Sequence, residues 1–448
     1  MGYRAAVSAP APAPPEATPG QGRRARAWRD NPWWIPPFLG SVPAGIEPRL
    51  MQVFALVALG LFFEQYDFSL LSAALKHIAD DLHFPNVGRY LAFERFGGFL
   101  AFGLLPLADR FGRRIVFLAA MVGMSVGTLA TAFSQTPSQF IGIQLLTRAS
   151  LLTCSSIGVV MLIEEFPAEH RGWGLGMLGA LANIGNGLGA ALFAFVDHLP
   201  FGWRSLYAVG VVPALLLPHF RRTLQETGRF RQLQAQRGAA SRSFGSSLRS
   251  LGTLARTYPW RAFCVGQAGL LASLGAISVF QFASYFVQTQ HGWEPWRYST
   301  MLLTAGGVGI IGNVVAGRLG DRFGRRLIGC GAYVIYCLAS VAFYHGPGWS
   351  LAPCFALIVF TISAGDVVVR AFSTELFPTS QRGASQAWMQ SVQTIGAMAG
   401  LWIVGNDLAG NLAGIVSWLS IGVAAAGIFL LLLPETRQRE LETLSQEA

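Results

Sequence analysis

The sequence predicts an all-α membrane protein of twelve transmembrane helices, built as two pseudo-symmetric six-helix bundles. Three observations carry this. First, the 448-residue chain is 52% hydrophobic and 12% charged, against roughly 25% charged for an ordinary soluble protein. Second, apolar runs of about 20 residues recur along nearly the whole length, each long enough to cross a hydrocarbon core of ~30 Å. Third, a short basic motif occurs twice, each time between two such runs. It reads Ala108-Asp109-Arg110-Phe111-Gly112-Arg113-Arg114 and, 212 residues on, Gly320-Asp321-Arg322-Phe323-Gly324-Arg325-Arg326. A repeat at that separation in so apolar a chain marks two copies of one half-protein. Backbone in a bilayer must satisfy its own hydrogen bonds, and runs of this length do so as helices.

Residues 1–48 differ from the rest. Alternating Ala and Pro over 9–15 give an extended, disordered start, followed by Arg23, Arg24, Arg26 and Arg29. No apolar core with a small-residue cleavage site follows, so this is not a signal peptide. Trp28, Trp33 and Trp34 beside prolines point to a segment lying at the membrane surface, where indole rings settle. The first bundle, 49–218, holds spans at 51–76, 89–108, 115–133, 138–163, 172–195 and 201–218. A polar linker occupies 219–259. The second bundle, 260–434, holds spans at 260–286, 296–319, 326–345, 350–374, 383–405 and 411–433, and a tail covers 435–448. Pro218 and Pro434 are expected to end spans six and twelve.

The formal net charge is +10. The arginines that produce it cluster in a few loops, which reads as membrane topology rather than nucleic-acid binding. The linker carries Arg221, Arg222, Arg229, Arg231, Arg237, Arg242, Arg249 and Arg256 against one acid, Glu226, placing it in the cytoplasm. Counting spans puts loops 109–114, 164–171, 320–326 and 375–382 on the same side, with both termini. The opposite loops are short and poor in basic residues. The expected location is therefore the cytoplasmic membrane, with both ends of the chain inside the cell. Cys154, Cys264, Cys330, Cys337 and Cys354 form no CxxC pair or ligand spacing; they read as small apolar packing residues, and neither a metal nor a cofactor is expected.

A second motif repeats. Glu164-Glu165-Phe166-Pro167-Ala168-Glu169-His170-Arg171-Gly172 follows span four, and Glu375-Leu376-Phe377-Pro378-Thr379-Ser380-Gln381-Arg382-Gly383 follows span ten. Parallel six-helix repeats are a standard plan for secondary transporters. The loop Asp109-Arg110-Phe111-Gly112-Arg113-Arg114 resembles the signature between the second and third helices of the major facilitator superfamily. The Glu-x-x-Pro-x-x-x-Arg-Gly pattern and the closing Pro434-Glu435-Thr436-Arg437 resemble its sugar-porter branch. Glu64-Gln65-Tyr66-Asp67 is similar to the acidic first helix of its aromatic-acid and metabolite/proton symporters. The resemblance implies two bundles around a central cavity that faces each side in turn. It also implies a cytoplasmic latch, here Asp109, Arg113 and Arg114 with Glu164 and Arg171, and Asp321, Arg325 and Arg326 with Glu375 and Arg382. Arginine forks fit carboxylates in two-point hydrogen bonds, and such a network can hold in one state and break in the other. The same arginines would also serve topology alone.

An ionisable residue inside a span costs about 2.5–3.5 kcal/mol on insertion scales, so each is a functional candidate. Glu64 and Asp67 share one face of span one. Two carboxylates close together in a poor dielectric cannot both stay ionised, and the pair is read as the proton carrier. Arg148, near the middle of span four, has no acid on its own helix face. It is expected to pair with Glu64 or Asp67 or to receive an anionic substrate group. Glu94 and Arg95 are adjacent, hence differently directed, and are expected to pair with different neighbours. Asp366 and Arg370, four apart, are expected to pair with each other. Of the uncharged polar residues in spans, Asn186, Gln281 and Gln393 are the preferred substrate contacts.

Gly174-Leu175-Gly176-Met177-Leu178-Gly179 matches GxGxxG but lies inside a span with no preceding strand, so close helix packing, with Gly185 and Gly189, is the better reading. No HExxH, GxSxG or P-loop pattern is present. The sequence thus points to a non-enzymatic secondary transporter of a small organic solute, an organic or aromatic acid before a sugar, by proton symport. It is expected to act as a monomer in the lipid bilayer, with protons and a small molecule as partners and no nucleic acid. A proton-coupled drug or metabolite exporter is disfavoured because span five has no Gly-Pro pattern. A transporter-like membrane sensor is the alternative of another class.

Overall fold

The computed structural model describes residues 48–166, 170–224, 226, 252–254, 256–377, 381–405 and 408–435, with isolated positions at 32, 35, 42, 43 and 46. Contacts divide the chain into residues 1–51 and 52–448. The regular elements among the described residues are all helical. The surface-lying tryptophans expected at 28, 33 and 34 fall outside the described residues.

Helices stand where the apolar runs place them. The first six spans are Pro48–Ala73; Val87–Arg95 continued by Gly97–Phe111; Arg113–Thr131; Pro137–Glu165; Arg171–Phe193; and Trp203–Ala208 continued by Val211–Thr223. The second six are Pro259–Gln290, Pro295–Phe323, Arg325–His345, Leu351–Glu375, Arg382–Gly405 and Leu408–Leu431. Among the described residues, ten helices are long and apolar enough to cross a membrane, and the span-six helix Trp203–Pro218 is shorter. Span eleven is a helix of 24 residues whose Ser385, Gln386, Gln390, Ser391, Gln393 and Thr394 make it more polar than its neighbours.

Three local features depart from the sequence reading. Pro218 does not end span six, because the helix runs on to Thr223. Proline removes one backbone bond, and membrane helices tolerate that loss. Span one stops at Ala73 and is followed by a separate amphipathic helix, Leu75–Leu82, with Leu75, Ile78, Ala79 and Leu82 buried. Span two is broken at Phe96, whose backbone nitrogen donates to Phe93 O at 3.0 Å, a tighter turn than the α-helical one.

Glycine sets two of the turns. Gly112, between spans two and three, has φ 102°, and Gly324, at the matching place between spans eight and nine, has φ 100°. Side-chain-bearing residues avoid this conformation, so the duplicated motif is a duplicated backbone shape. In span five, a Cβ on Gly185 would lie 2.1 Å from Phe62 O and one on Gly189 would lie 2.9 Å from Ser69 Cβ, whereas Gly176 and Gly179 face open space. Close packing against span one therefore rests on Gly185 and Gly189, not on the later glycines of the GxGxxG pattern.

The halves meet through spans two and eleven, five and eight, and the helix Leu75–Leu82 with span seven, and through hydrogen bonds between spans one and seven. Ser284 Oγ donates to Ala73 O at 2.6 Å and Ser72 Oγ to Phe280 O at 3.1 Å, joining spans one and seven near the end opposite the arginine loops. At the same end a Cβ on Gly88 would meet Leu401 O and Gly405 N at 2.5 Å. Phe93 packs edge-on against Trp402.

Candidate functional site

Charge inside the helices of the first half gathers in one place. Span one supplies Glu64 and Asp67, span two Glu94 and Arg95, and span four Gln144 and Arg148. Glu94 is 1% exposed, Arg95 4% and Asp67 5%. Arg148 Nη1 lies 3.2 Å from Glu94 Oε1, and Arg95 Nε lies 3.3 Å from Glu94 Oε2. The second contact is close but not aligned as a hydrogen bond, since neither atom has a hydrogen-bond partner among the described residues. Asp67 Oδ1 is likewise buried without one. Asp67 lies within electrostatic reach of Glu94 and Arg148, beside Gln144. Glu64, half-buried, is beside Ser155 and within reach of Arg148.

One expectation needs correcting: Arg148 pairs with Glu94 rather than with Glu64 or Asp67. Glu94 and Arg95 do take different neighbours, Arg148 and Gln281, as expected, and they also approach each other. Both side chains are buried in the bundle. A Cβ on Gly97 would lie 2.4 Å from Leu145 O. Spans two and four thus touch backbone to backbone at the level of Glu94, which brings Arg148 within reach.

The cluster extends into the other half. Arg95 Nη2 donates to Gln281 Oε1 of span seven at 3.2 Å. Gln281 is fully buried, and its Nε2 has no hydrogen-bond partner among the described residues. The Arg95 guanidinium also sits 5.4 Å from the centre of the Phe68 ring, and Phe68 stacks on Phe280 of span seven, centroids 5.4 Å apart at 15°. Gln281, expected from sequence as a substrate contact, turns to Arg95. Asn186 and Gln393 are half-buried on spans five and eleven.

At the loop end, each half repeats one arrangement. Arg113 Nη2 lies 2.8 Å from Glu164 Oε1, and Arg325 pairs with Glu375. Each pair ties the start of the third helix of its half to the end of the fourth. The carboxylate of Glu226 accepts from the backbone N–H of Arg113 at 3.1 Å and of Arg114 at 3.2 Å. Glu435 accepts from those of Arg325 at 2.9 Å and Arg326 at 3.2 Å. Both acids cap a helix whose first-turn donors would otherwise lack partners. Arg114 Nη2 also donates to Arg221 O at 2.7 Å. The side chains of Asp109, Arg171, Asp321 and Arg382 lie outside the described ones. Asp366 and Arg370 do pair, at 3.7 Å on an exposed face.

Sequence reasoning missed Glu226 and Glu435 as partners of the loop. The signal was present as Glu226-Thr227 and Glu435-Thr436, a third repeated pair. It also left Glu94 and Arg95 without a role.

Comparison with known proteins fits this architecture. The Major Facilitator Superfamily profile matches residues 57–401 and 271–448. The gallate transporter of Pseudomonas putida is 27% identical over 377 residues, 76% of this chain and 81% of that protein. The glucose transporter GlcP of Staphylococcus epidermidis is 26% identical over 442 residues, 88% of this chain and 96% of that protein. A solved D-xylose-proton symporter superposes with a TM-score of 0.73 over 87% of this chain and 99% of that one, at 17% identity, so the likeness is one of fold. The chain is a multi-pass integral membrane transporter, not an enzyme, and it belongs to the Major Facilitator Superfamily.

Proposed function

We propose that this transporter carries a small organic acid together with a proton, by alternating access, across the cytoplasmic membrane with both termini in the cytoplasm. The observation that carries the reading is the buried cluster of Asp67, Glu94 and Arg148. A guanidinium offers five donors. Glu94 occupies one edge of Arg148, whose side chain is 21% exposed, and the rest of the fork suits a substrate carboxylate. Asn186 and Gln393 are the proposed flanking contacts. Asp67, buried with an unpartnered oxygen, and its neighbour Glu64 are the proposed proton carriers.

The duplication sharpens this. At the equivalent positions, 212 residues beyond Glu94 and Arg95 and 211 beyond Arg148, the second half has Gly306, Gly307 and Val359. The first half therefore holds the charge chemistry, and the second contributes Gln281, Gln393 and Phe280. The relative that transports gallate supports an organic acid. The relative that transports glucose supports a sugar as the second reading, but a neutral hexose gives Arg148 no charge to hold. Arg113 with Glu164 and Arg325 with Glu375, together with Asp109, Arg114, Arg171, Asp321, Arg326 and Arg382, form the proposed latch.

Reconstituted proteoliposomes given labelled gallate or glucose test the reading. Gallate is expected to accumulate when the interior is alkaline, and a protonophore is expected to abolish that accumulation. Gallate uptake indifferent to the gradient would remove proton coupling, and glucose uptake without gallate uptake would favour the sugar reading.

A further inference from the structure

Glu94 stands between two guanidiniums and uses a different oxygen toward each. Oε1 is hydrogen-bonded to Arg148 Nη1 at 3.2 Å. Oε2 lies 3.3 Å from Arg95 Nε without the alignment of a hydrogen bond. The far end of Arg95 crosses to the other half and donates to Gln281 Oε1. The chain Arg148, Glu94, Arg95, Gln281 therefore links a partly exposed arginine to the opposite bundle. Three of its polar atoms, Glu94 Oε2, Arg95 Nε and Gln281 Nε2, are buried without hydrogen-bond partners. Native interiors rarely leave such groups unsatisfied, and a network with several can gain bonds by rearranging.

We propose that Glu94 is a positioning residue that exchanges one arginine for the other. A substrate carboxylate bound at Arg148 releases Glu94 Oε1. Glu94 then aligns on Arg95, and the Arg95–Gln281 contact reports substrate occupancy in the first half to the second. The proposal relies on the organic-anion reading only for the identity of the ligand. A ligand shifts a conformational equilibrium only through contacts that differ between states, and a carboxylate competing with Glu94 supplies such a difference. No covalent step is involved.

The test separates binding from turnover. Gallate and benzoate binding to the purified protein would be measured beside net uptake and exchange in proteoliposomes, for wild type, Glu94→Gln, Gln281→Leu and the double variant. Glu94→Gln is expected to bind the anions at least as tightly as wild type, because the competing carboxylate is gone. Its net uptake is expected to fall about tenfold, within the range typical of coupling between sites. Gln281→Leu is expected to change turnover more than binding. The double variant is expected to lose no more turnover than the worse single, since both act on one path. Binding and uptake that fall in proportion, or losses that multiply, would overturn the proposal.

A ligand-free arm covers the case in which wild type binds neither probe. That result would sink the organic-anion reading but leave the relay open to test. Spin labels on cysteines introduced at Asp80 and Trp296, exposed positions of the two halves, report their separation. Gln281→Glu gives Arg95 a charged partner and is expected to narrow the distribution toward short distances, while Gln281→Leu is expected to broaden it. Identical distributions in all three proteins would overturn the relay.

Discussion

Asp67 combines near-complete burial with a carboxylate oxygen that has no hydrogen-bond partner among the described residues. A fixed structural acid would be expected to satisfy both oxygens; one that must gain and lose a proton need not. Asp67→Asn keeps the shape and removes the titration. It is expected to retain gallate exchange across a proteoliposome membrane while losing accumulation driven by a pH gradient. Accumulation equal to wild type would take Asp67 out of the coupling. At this scale the sequence was informative about which residues matter. Asp67 and Arg148 stand out because charge in an apolar run is costly. The pairing was not legible. Arg148 reaches Glu94 where Gly97 lets spans two and four touch, and that approach does not follow from spacing along a regular helix.

The elements that carry the duplicated motif are turns and helix starts. Gly112 and Gly324 share a backbone conformation that other residues hold only with strain of about 1–3 kcal/mol. At Gly324 an added Cβ would also sit 2.9 Å from Glu435 Oε2, the carboxylate capping the next helix. Gly324→Ala is therefore expected to lower the thermal unfolding midpoint of the detergent-solubilised protein, and to do so less when combined with Glu435→Ala. An unchanged midpoint in the single variant would contradict the role given to the turn. The glycines could be read from sequence because the motif occurs twice in register, and the Arg113–Glu164 and Arg325–Glu375 pairs because the resemblance of both motifs to the superfamily implied them. The glutamate caps were overlooked for a physical reason: Glu226 lies in a basic linker, where a lone acid looks like solvated surface.

Across the whole molecule, the bonds described between the halves lie from mid-height to the end away from the arginine loops, at Arg95 with Gln281, Ser72 with Phe280 and Ser284 with Ala73. Under alternating access these contacts must part to open that side. Gly88 and Gly405 set how closely spans two and eleven approach there. Gly88→Leu is expected to hold that end apart, so that a cysteine introduced at Phe68 reacts faster with an impermeant thiol reagent added from that side. Labelling no faster than with Gly88 intact would contradict the closure assigned to this crossing. The twelve-helix plan was the most legible feature of the chain, because length, hydropathy and arginine placement act over whole spans. The state of closure was not, because it depends on side-chain size at single crossings such as Gly88 with Gly405.

The central claim, that an organic acid and a proton move together, is tested most directly by following internal pH. Proteoliposomes holding a trapped pH-sensitive dye would receive external gallate, with protein-free liposomes run in parallel. Wild-type protein is predicted to acidify the interior as gallate enters, and Asp67→Asn to exchange gallate with no more acidification than protein-free liposomes show. Gallate entry through the wild-type protein without acidification would contradict the account.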